Sequence, residues 1–342
     1  MQEEKLGNQL PSFGHEDYQV VGCDLDTFVD TNYSGHSYFK EILITLFRNK
    51  ATAVSLFCIS LIIILAIAAP FASPYTYRQV NDRATNLPMR VPVLEKYGIF
   101  DGTRKGVDMY AKCGVPDEYH YFGTDNLGRD IWTRVWVGTR ISLLISLLAV
   151  VLDVAIGVTF GMIAGYFGGK VDFFMQRFVE ILTGIPNLII MMLLLLIMEP
   201  GIPTICLALA ITGWVNMSRV VRAQVLKQKS SEFVLASRTL GAPPASIILK
   251  DILPNIMGPI IITFMFSVPN AIFFEAFLAF IGLGVPIPMA SLGTLINEGY
   301  KSAMLYPYQV LTPIIVLSVL MLSFNLLADG LRDAVDPQLR TE

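Results

Sequence analysis

The sequence predicts an all-α integral membrane protein with six transmembrane helices, and three observations carry that prediction. Hydrophobic residues make up 54% of the 342, and the mean hydropathy is +0.57. Charged residues make up only 15%, against roughly 25% in soluble domains. Six apolar runs come near the about 20 residues that cross a bilayer as a helix. They span 51–71, 141–165, 174–198, 203–221, 256–283 and 308–328.

The first run, ATAVSLFCISLIIILAIAAPF, follows Lys40, Arg48 and Lys50. No early apolar h-region precedes it, so it reads as an uncleaved anchor behind a polar, acid-rich cytoplasmic tail at 1–50. An even number of crossings puts both termini on one side. Between the fourth and fifth runs, Arg222, Lys227, Lys229, Arg238 and Lys250 outweigh Glu232 and Asp251. That basic loop falls on the same side as the amino terminus, as the positive-inside rule asks.

The segment 72–138 then lies outside, as an extracellular loop with an interfacial segment. It ends in YFGTDNLGRDIWTRVWVGTR, residues 121–140. Thr124-Asp125-Asn126 and Gly128 carry turn chemistry, and Asp130 is suited to cap a short helix. Trp132 and Trp136 share a helical face, which suits an interfacial belt or a substrate contact. The core follows at 139–328, with a loop at 230–254 and a cytoplasmic tail at 329–342.

Within the second run, Gly157, Gly161 and Gly165 recur every four residues, a face that lets two helices approach closely in lipid. This indicates packing and no chemistry. The third run is marked by Arg177 and Glu180 in its first turns. Two ionisable residues lie inside runs, Asp153 and Glu275. A charge in the bilayer costs about 2.5–3.5 kcal/mol on insertion scales, so both should face protein or water. A hydrogen bond to a neighbouring helix explains them most simply. A pathway or proton relay is the functional alternative.

Known chemistries are missing. Cys23, Cys58, Cys113 and Cys206 have no metal spacing, and His15, His36 and His120 match no ligand pattern. The net charge of −3 gives no bulk attraction to nucleic acid. GYFGGKVD, residues 165–172, lacks phosphate-loop spacing and reads as a turn between spans. Any pumping energy must come from elsewhere.

The most informative stretch is SEFVLASRTLGAPPASIILKDILPNIMG, residues 231–258. Ser230 or Ser231 can cap a helix, with Glu232 at its positive end. Phe233, Ala236 and Leu240 share a face. Gly241 stands where a helix stops in a left-handed turn, and Pro243 or Pro244 can open the next. Ile247 and Ile248 give that second helix an apolar side, and Pro254 marks the entry to the fifth span. Such a surface helix can float on anionic lipid or dock into a groove on a cytoplasmic partner, and periodicity does not choose.

This stretch resembles the coupling motif of ABC importer permeases: EAA, three residues, Gly, nine residues, I-x-L-P. Ala236, Gly241, Leu253 and Pro254 match, while Leu235, Ser237 and Asp251 depart from the pattern. Other stretches resemble the second permease subunit of oligopeptide and dipeptide importers: 122–143, 161–172, FFEAFLAFIGLGVPIP (273–288), SLGTLINEG (291–299) and FNLLADGLRDAVDPQLR (324–340).

The resemblance implies a MetI-like type I ABC importer permease fold in a prokaryotic cell membrane. It implies a paralogous permease sharing one pore, two cytoplasmic ATPases that use ATP and Mg, and an extracellular peptide-binding lipoprotein. The chain itself would be no enzyme and would bind no cofactor or metal. Glu232 to Gly241 would be the coupling helix, with Phe233, Ala236 and Leu240 in the ATPase groove and Leu253 and Pro254 fixing its return to the membrane. Asn187, Asn216, Asn270 and Glu275 are polar positions in the spans that could line the pore, although intramembrane amides commonly bond helix to helix. Three alternatives remain: the same machine with another cargo (dipeptide, nickel, an opine, an oligosaccharide), an ion-coupled secondary transporter, and a membrane enzyme or receptor, against which the missing motifs count.

Overall fold

The computed structural model describes residues 46–199 and 201–335. The acidic tail up to residue 45, with Cys23, His15 and His36, and the end of the carboxyl tail from 336 lie outside the described residues.

Among the described residues, five helices are long and apolar enough to cross a membrane. These are α1 (Lys50–Ala72), α3 (Ile131–Phe167), α6 (Ile202–Gln228), α8 (Met257–Leu278) and α10 (Tyr308–Val335). They coincide with the first, second, fourth, fifth and sixth apolar runs. The third run differs. It forms two helices, α4 (Gly169–Thr183) and α5 (Asn187–Ile197), bent 78° from one another. The cause is local. Gly184-Ile185-Pro186 interrupts the apolar pattern, Pro186 has no N–H to donate, and its ring disfavours a helical Ile185. Arg177 and Glu180 pair on the exposed side of α4.

The second span also departs from expectation. Its helix begins ten residues before 141, so Asp130 caps this long helix and no separate short one: its carboxylate accepts from the Thr133 amide at 2.8 Å. At 1.5 Å per residue α3 is about 55 Å long, well beyond the about 30 Å hydrocarbon core. The excess leaves turns clear of the bilayer, and Arg134 and Arg140 make the first turns the polar end of the helix, continuous with the segment 73–130. Trp136 does not form an interfacial belt. It is buried, in an apolar cluster that joins α3 to α1, with Trp132 packed edge-on to it at 5.5 Å.

The outer segment folds around Ala84, Leu87 and Tyr110. A two-stranded hairpin, β1 (Thr103–Arg104) and β2 (Val107–Asp108), leads into a single turn, α2 (Met109–Lys112), which Asp108 caps. The Arg90 guanidinium bonds Glu95 at 2.8 Å and holds that carboxyl below its ordinary range. His120 stacks on Tyr75 at 4.3 Å and bonds Asp130 at 2.8 Å, so it serves structure here.

After α6 comes the short helix α7 (Glu232–Thr239). A broken helical path, Pro244–Ser246, a π turn at Ile247–Ile252 and Leu253–Asn255, then leads into α8. Between α8 and α10 lies α9 (Leu292–Tyr300), opened by a capping box between Ser291 and Thr294. Asn297 of α9 bonds the Phe280 carbonyl and holds α9 against the end of α8.

Candidate functional site

The loop from α6 to α8 is built on one buried residue that the sequence pattern did not single out. Val234 is 3% exposed and packs with Ile247 and Ile252 of the π turn. The same apolar cluster takes in Met217, Val221 and Val225 of α6, Ile256 and Ile260 of the α8 entry, and Met162 and Tyr166 of α3. With Val234 turned inward, the opposite side of α7 is free. Phe233 is 42% exposed, Leu240 is 86% exposed, and Ala236 is exposed between them.

The ends of α7 follow from local chemistry. Ser231 occupies the N-cap position, but its hydroxyl donates to the Gln228 carbonyl at 2.6 Å and caps no first-turn amide. The expected serine cap is thus replaced by a tie back to α6. Glu232 lies in the first turn, at the positive end of the helix. Gly241 has φ +80, and the Gly241 and Ala242 amides donate to the Arg238 and Ser237 carbonyls, both at 3.1 Å. This pairing closes the carboxyl end and needs a left-handed residue there. Pro244 opens the next turn, as its fixed φ suits a first helical position. The π turn ends just before Leu253 and Pro254, where the chain meets a residue without an amide donor.

The glycine stripe seats α3 on α6. A Cβ added at Gly157 would stand 2.7 Å from Met217 Cβ, at Gly161 2.6 Å from the Ser218 carbonyl, and at Gly165 2.8 Å from Val225 Cβ. No side chain fits there, so the stripe is a packing seam, as its spacing indicates. Arg222 of α6 closes the end of the seam by gripping Asp172 of α4 with two bonds of 2.5 Å.

Three of the four polar positions meet. Asn187 of α5, Asn216 of α6 and Asn270 of α8 line one cavity of about 290 Å³, together with Asp153 of α3. Glu275 does not line it. It is 1% exposed and accepts from the Ser142 hydroxyl at 2.8 Å, while that hydroxyl accepts from the Leu292 amide at 3.1 Å. Glu275 thereby ties α8 to α3 and α9, which is the interhelical bond expected of it. The asparagines make no such bond among the described residues. Asn270 donates to Phe266 of its own helix at 3.2 Å. Asp153 likewise departs from expectation, since its Oδ1 has no hydrogen-bond partner.

A second polar cluster was invisible to the sequence reading. Asp125 bonds Arg129 at 2.6 Å and Arg134 at 2.5 Å, and Glu298 of α9 bonds the same two arginines at 3.0 and 2.7 Å. Gln309 of α10 reaches the Thr124 carbonyl at 2.9 Å. These residues line a cavity of about 230 Å³ beside the start of α3. The i, i+4 spacings of Asp125–Arg129 and Asp130–Arg134 do not announce the cluster: only the first pair forms, Asp130 bonds His120 and Thr133 instead, and Glu298 lies too far along the chain to be paired by spacing.

Comparisons with known proteins place the sequence in a family. The sequence model described as "Binding-protein-dependent transport system inner membrane component" matches residues 157–341. One described as "N-terminal TM domain of oligopeptide transport permease C" matches residues 37–88. The chain is 42% identical over 304 residues to the oligopeptide transport system permease protein OppC of Bacillus subtilis, covering 89% of this chain and 91% of that one. It is 41% identical to the dipeptide transport system permease protein DppC of the same organism, over 89% of this chain and 87% of that one. The Escherichia coli K12 OppC is 35% identical, over 90% of this chain and 93% of that one. A chain of the MetNI methionine ABC transporter, solved in an inward facing conformation, superposes with a TM-score of 0.49 at 18% identity, over 59% of this chain and 96% of that chain. This multi-pass membrane protein belongs to the family of binding-protein-dependent transport system inner membrane components.

Proposed function

We propose that this chain is one of two permease subunits of an ATP-driven peptide importer, and that α7 is its contact with a cytoplasmic ATPase. The single observation that carries the reading is the two-sidedness of α7. Val234 anchors it to α3, α6 and the α8 entry, while Phe233 and Ala236 on the helix and Leu240 at its C-cap remain exposed. An apolar face of this kind suits docking of a helix into a groove. Oligopeptide and dipeptide permeases among the relatives support peptide as the cargo.

On this reading a paralogous permease completes the pore, two ATP-binding subunits supply hydrolysis with ATP and Mg, and an extracellular lipoprotein delivers the peptide. Both termini lie in the cytoplasm. Closure of the ATPases moves their grooves, and α7 moves with them. Val234 passes the displacement to Ile247 and Ile252, and from there to α6 and α8 through one continuous apolar cluster. The glycine seam makes α3 follow α6. The chain then alternates between two states that ATP biases, with no bond made or broken on it.

Uptake of a labelled oligopeptide by cells lacking this chain, with and without its return on a plasmid, tests the proposal. The expected result is ATP-dependent uptake restored by the plasmid and insensitive to an uncoupler at constant ATP. Uptake that collapses with the uncoupler while ATP is held constant would favour an ion-coupled transporter instead. Dipeptide, nickel, opine and oligosaccharide uptake in the same cells separates the cargo alternatives.

A further inference from the structure

Asp153 lies in the membrane-spanning part of α3, 7% exposed, with no hydrogen-bond partner at Oδ1. No Lys, Arg or His lines the cavity it shares with Asn187, Asn216 and Asn270. The Thr212 hydroxyl at the same cavity is also buried and without a partner. A carboxylate in a span is costly to keep and persists where something pairs with it.

Two details point to a site built around this carboxylate. A Cβ added at Gly213 would stand 2.1 Å from Asp153 Oδ2, so the missing side chain at 213 is what lets the carboxylate sit there. The Asn270 amide nitrogen is committed to the Phe266 carbonyl, which leaves the Asn270 side-chain oxygen as an acceptor. The described residues of this lining carry one carboxylate and no cation, with amides and hydroxyls that can each accept or donate. Its complement is a compact cation with several N–H donors. A primary ammonium has three. A cavity of about 290 Å³ holds such a group and the atoms next to it, and is too small for a whole oligopeptide.

We propose that Asp153, with Asn187, Asn216 and Asn270, forms a subsite for the primary ammonium group of the transported substrate. The assignment rests on the peptide-importer reading. Every peptide with a free amino terminus carries this group whatever its side chains, so one fixed contact there is compatible with a varied cargo. A lysine side chain offers the same chemistry from a second source.

The test uses the complete transporter, with both permeases, ATPases and binding protein, in vesicles. Uptake of trialanine, N-acetyl-trialanine and N-acetyl-Ala-Lys-Ala is compared between wild type and Asp153→Asn, an isosteric change that removes the charge and turns one acceptor oxygen into an N–H donor. Trialanine uptake is expected to fall about tenfold relative to N-acetyl-trialanine, the scale of one lost charge-assisted hydrogen bond. Gly213→Ala, which displaces the carboxylate, should show the same selective loss, and Asp153→Glu should keep most of the uptake. A loss confined to trialanine identifies the amino terminus as the source. A loss shared by N-acetyl-Ala-Lys-Ala identifies any primary ammonium. Equal loss for all three peptides, or no loss for either ammonium-bearing peptide, overturns the subsite and leaves the importer reading standing. A wild-type transporter that takes up none of the three overturns the peptide reading itself, and the subsite with it.

Discussion

Glu298 of α9 and Arg134 of α3 meet at 2.7 Å although 164 residues separate them in sequence. Arg134 is 2% exposed and also bonds Asp125, so the start of α3 is fixed at once to the turn before it and to α9. Removing Arg134 leaves the Asp125 and Glu298 carboxylates to share Arg129 alone. Arg134→Ala is therefore expected to cost about 3–5 kcal/mol, the range for breaking a buried ion pair. Glu298→Ala should cost less, because the Glu298 side chain is 32% exposed and water screens it. Thermal unfolding of the solubilised protein checks both. An unchanged midpoint for Arg134→Ala would contradict this view of the cluster.

The seam between α3 and α6 makes a steric prediction. At Gly161 the obstructing atom is the Ser218 backbone carbonyl, which cannot swing away as a side-chain tip can. Gly161→Val is expected to destabilise by at least about 1–3 kcal/mol, the usual cost of overpacking, and to lower the amount of folded protein in membranes. Wild-type yield and melting for this variant would show that the seam is looser than described.

The two sides of α7 should respond oppositely to the same substitution. Phe233→Asp and Leu240→Asp place a charge on an exposed face, so the chain should fold and insert normally while peptide uptake falls. Val234→Asp buries a charge among Ile247, Ile252 and Val221, and should reduce folded protein before uptake is reached. Membrane yield and uptake, measured together, separate the two effects. Normal uptake in both exposed-face variants would defeat the coupling role.

Gly241 tests the hinge after α7. No atom lies within 4 Å of an added Cβ there, so Gly241→Ala meets only the penalty of a left-handed backbone, about 1–2 kcal/mol. Amide exchange across 231–242 should quicken while global melting barely moves. Gly241→Pro also deletes the amide that bonds the Arg238 carbonyl, and should abolish uptake with the protein still inserted. Equal exchange in Gly241→Ala and wild type would mean that φ at this position is not held.

Much of this architecture was legible in the sequence because the bilayer imposes a simple length and polarity rule. The five long helices and the glycine seam follow from spacing alone, and spacing groups Phe233, Ala236 and Leu240 on one face. The bend within the third run was also written there, in Gly184 and Pro186, but the hydropathy of 185–198 masks it. Trp136 and Val234 illustrate a real limit. Periodicity gives a face, and which face turns inward depends on neighbours contributed by α1 and by the π turn. The outer segment was least legible. Its small core and its ionic cluster draw on residues as distant as Asn86, Glu298 and Gln309, and no local pattern announces contacts of that range.

Co-purification reports on whether α7 docks an ATPase. The chain is tagged at its carboxyl end, solubilised gently from its own membranes, and compared with a Phe233→Asp, Leu240→Asp double variant. Wild type is expected to bring down a second multi-span permease and a P-loop ATPase, and the variant to keep the permease and lose the ATPase. Recovery of wild type as a stable chain with no ATPase, or equal ATPase recovery with the variant, would contradict it.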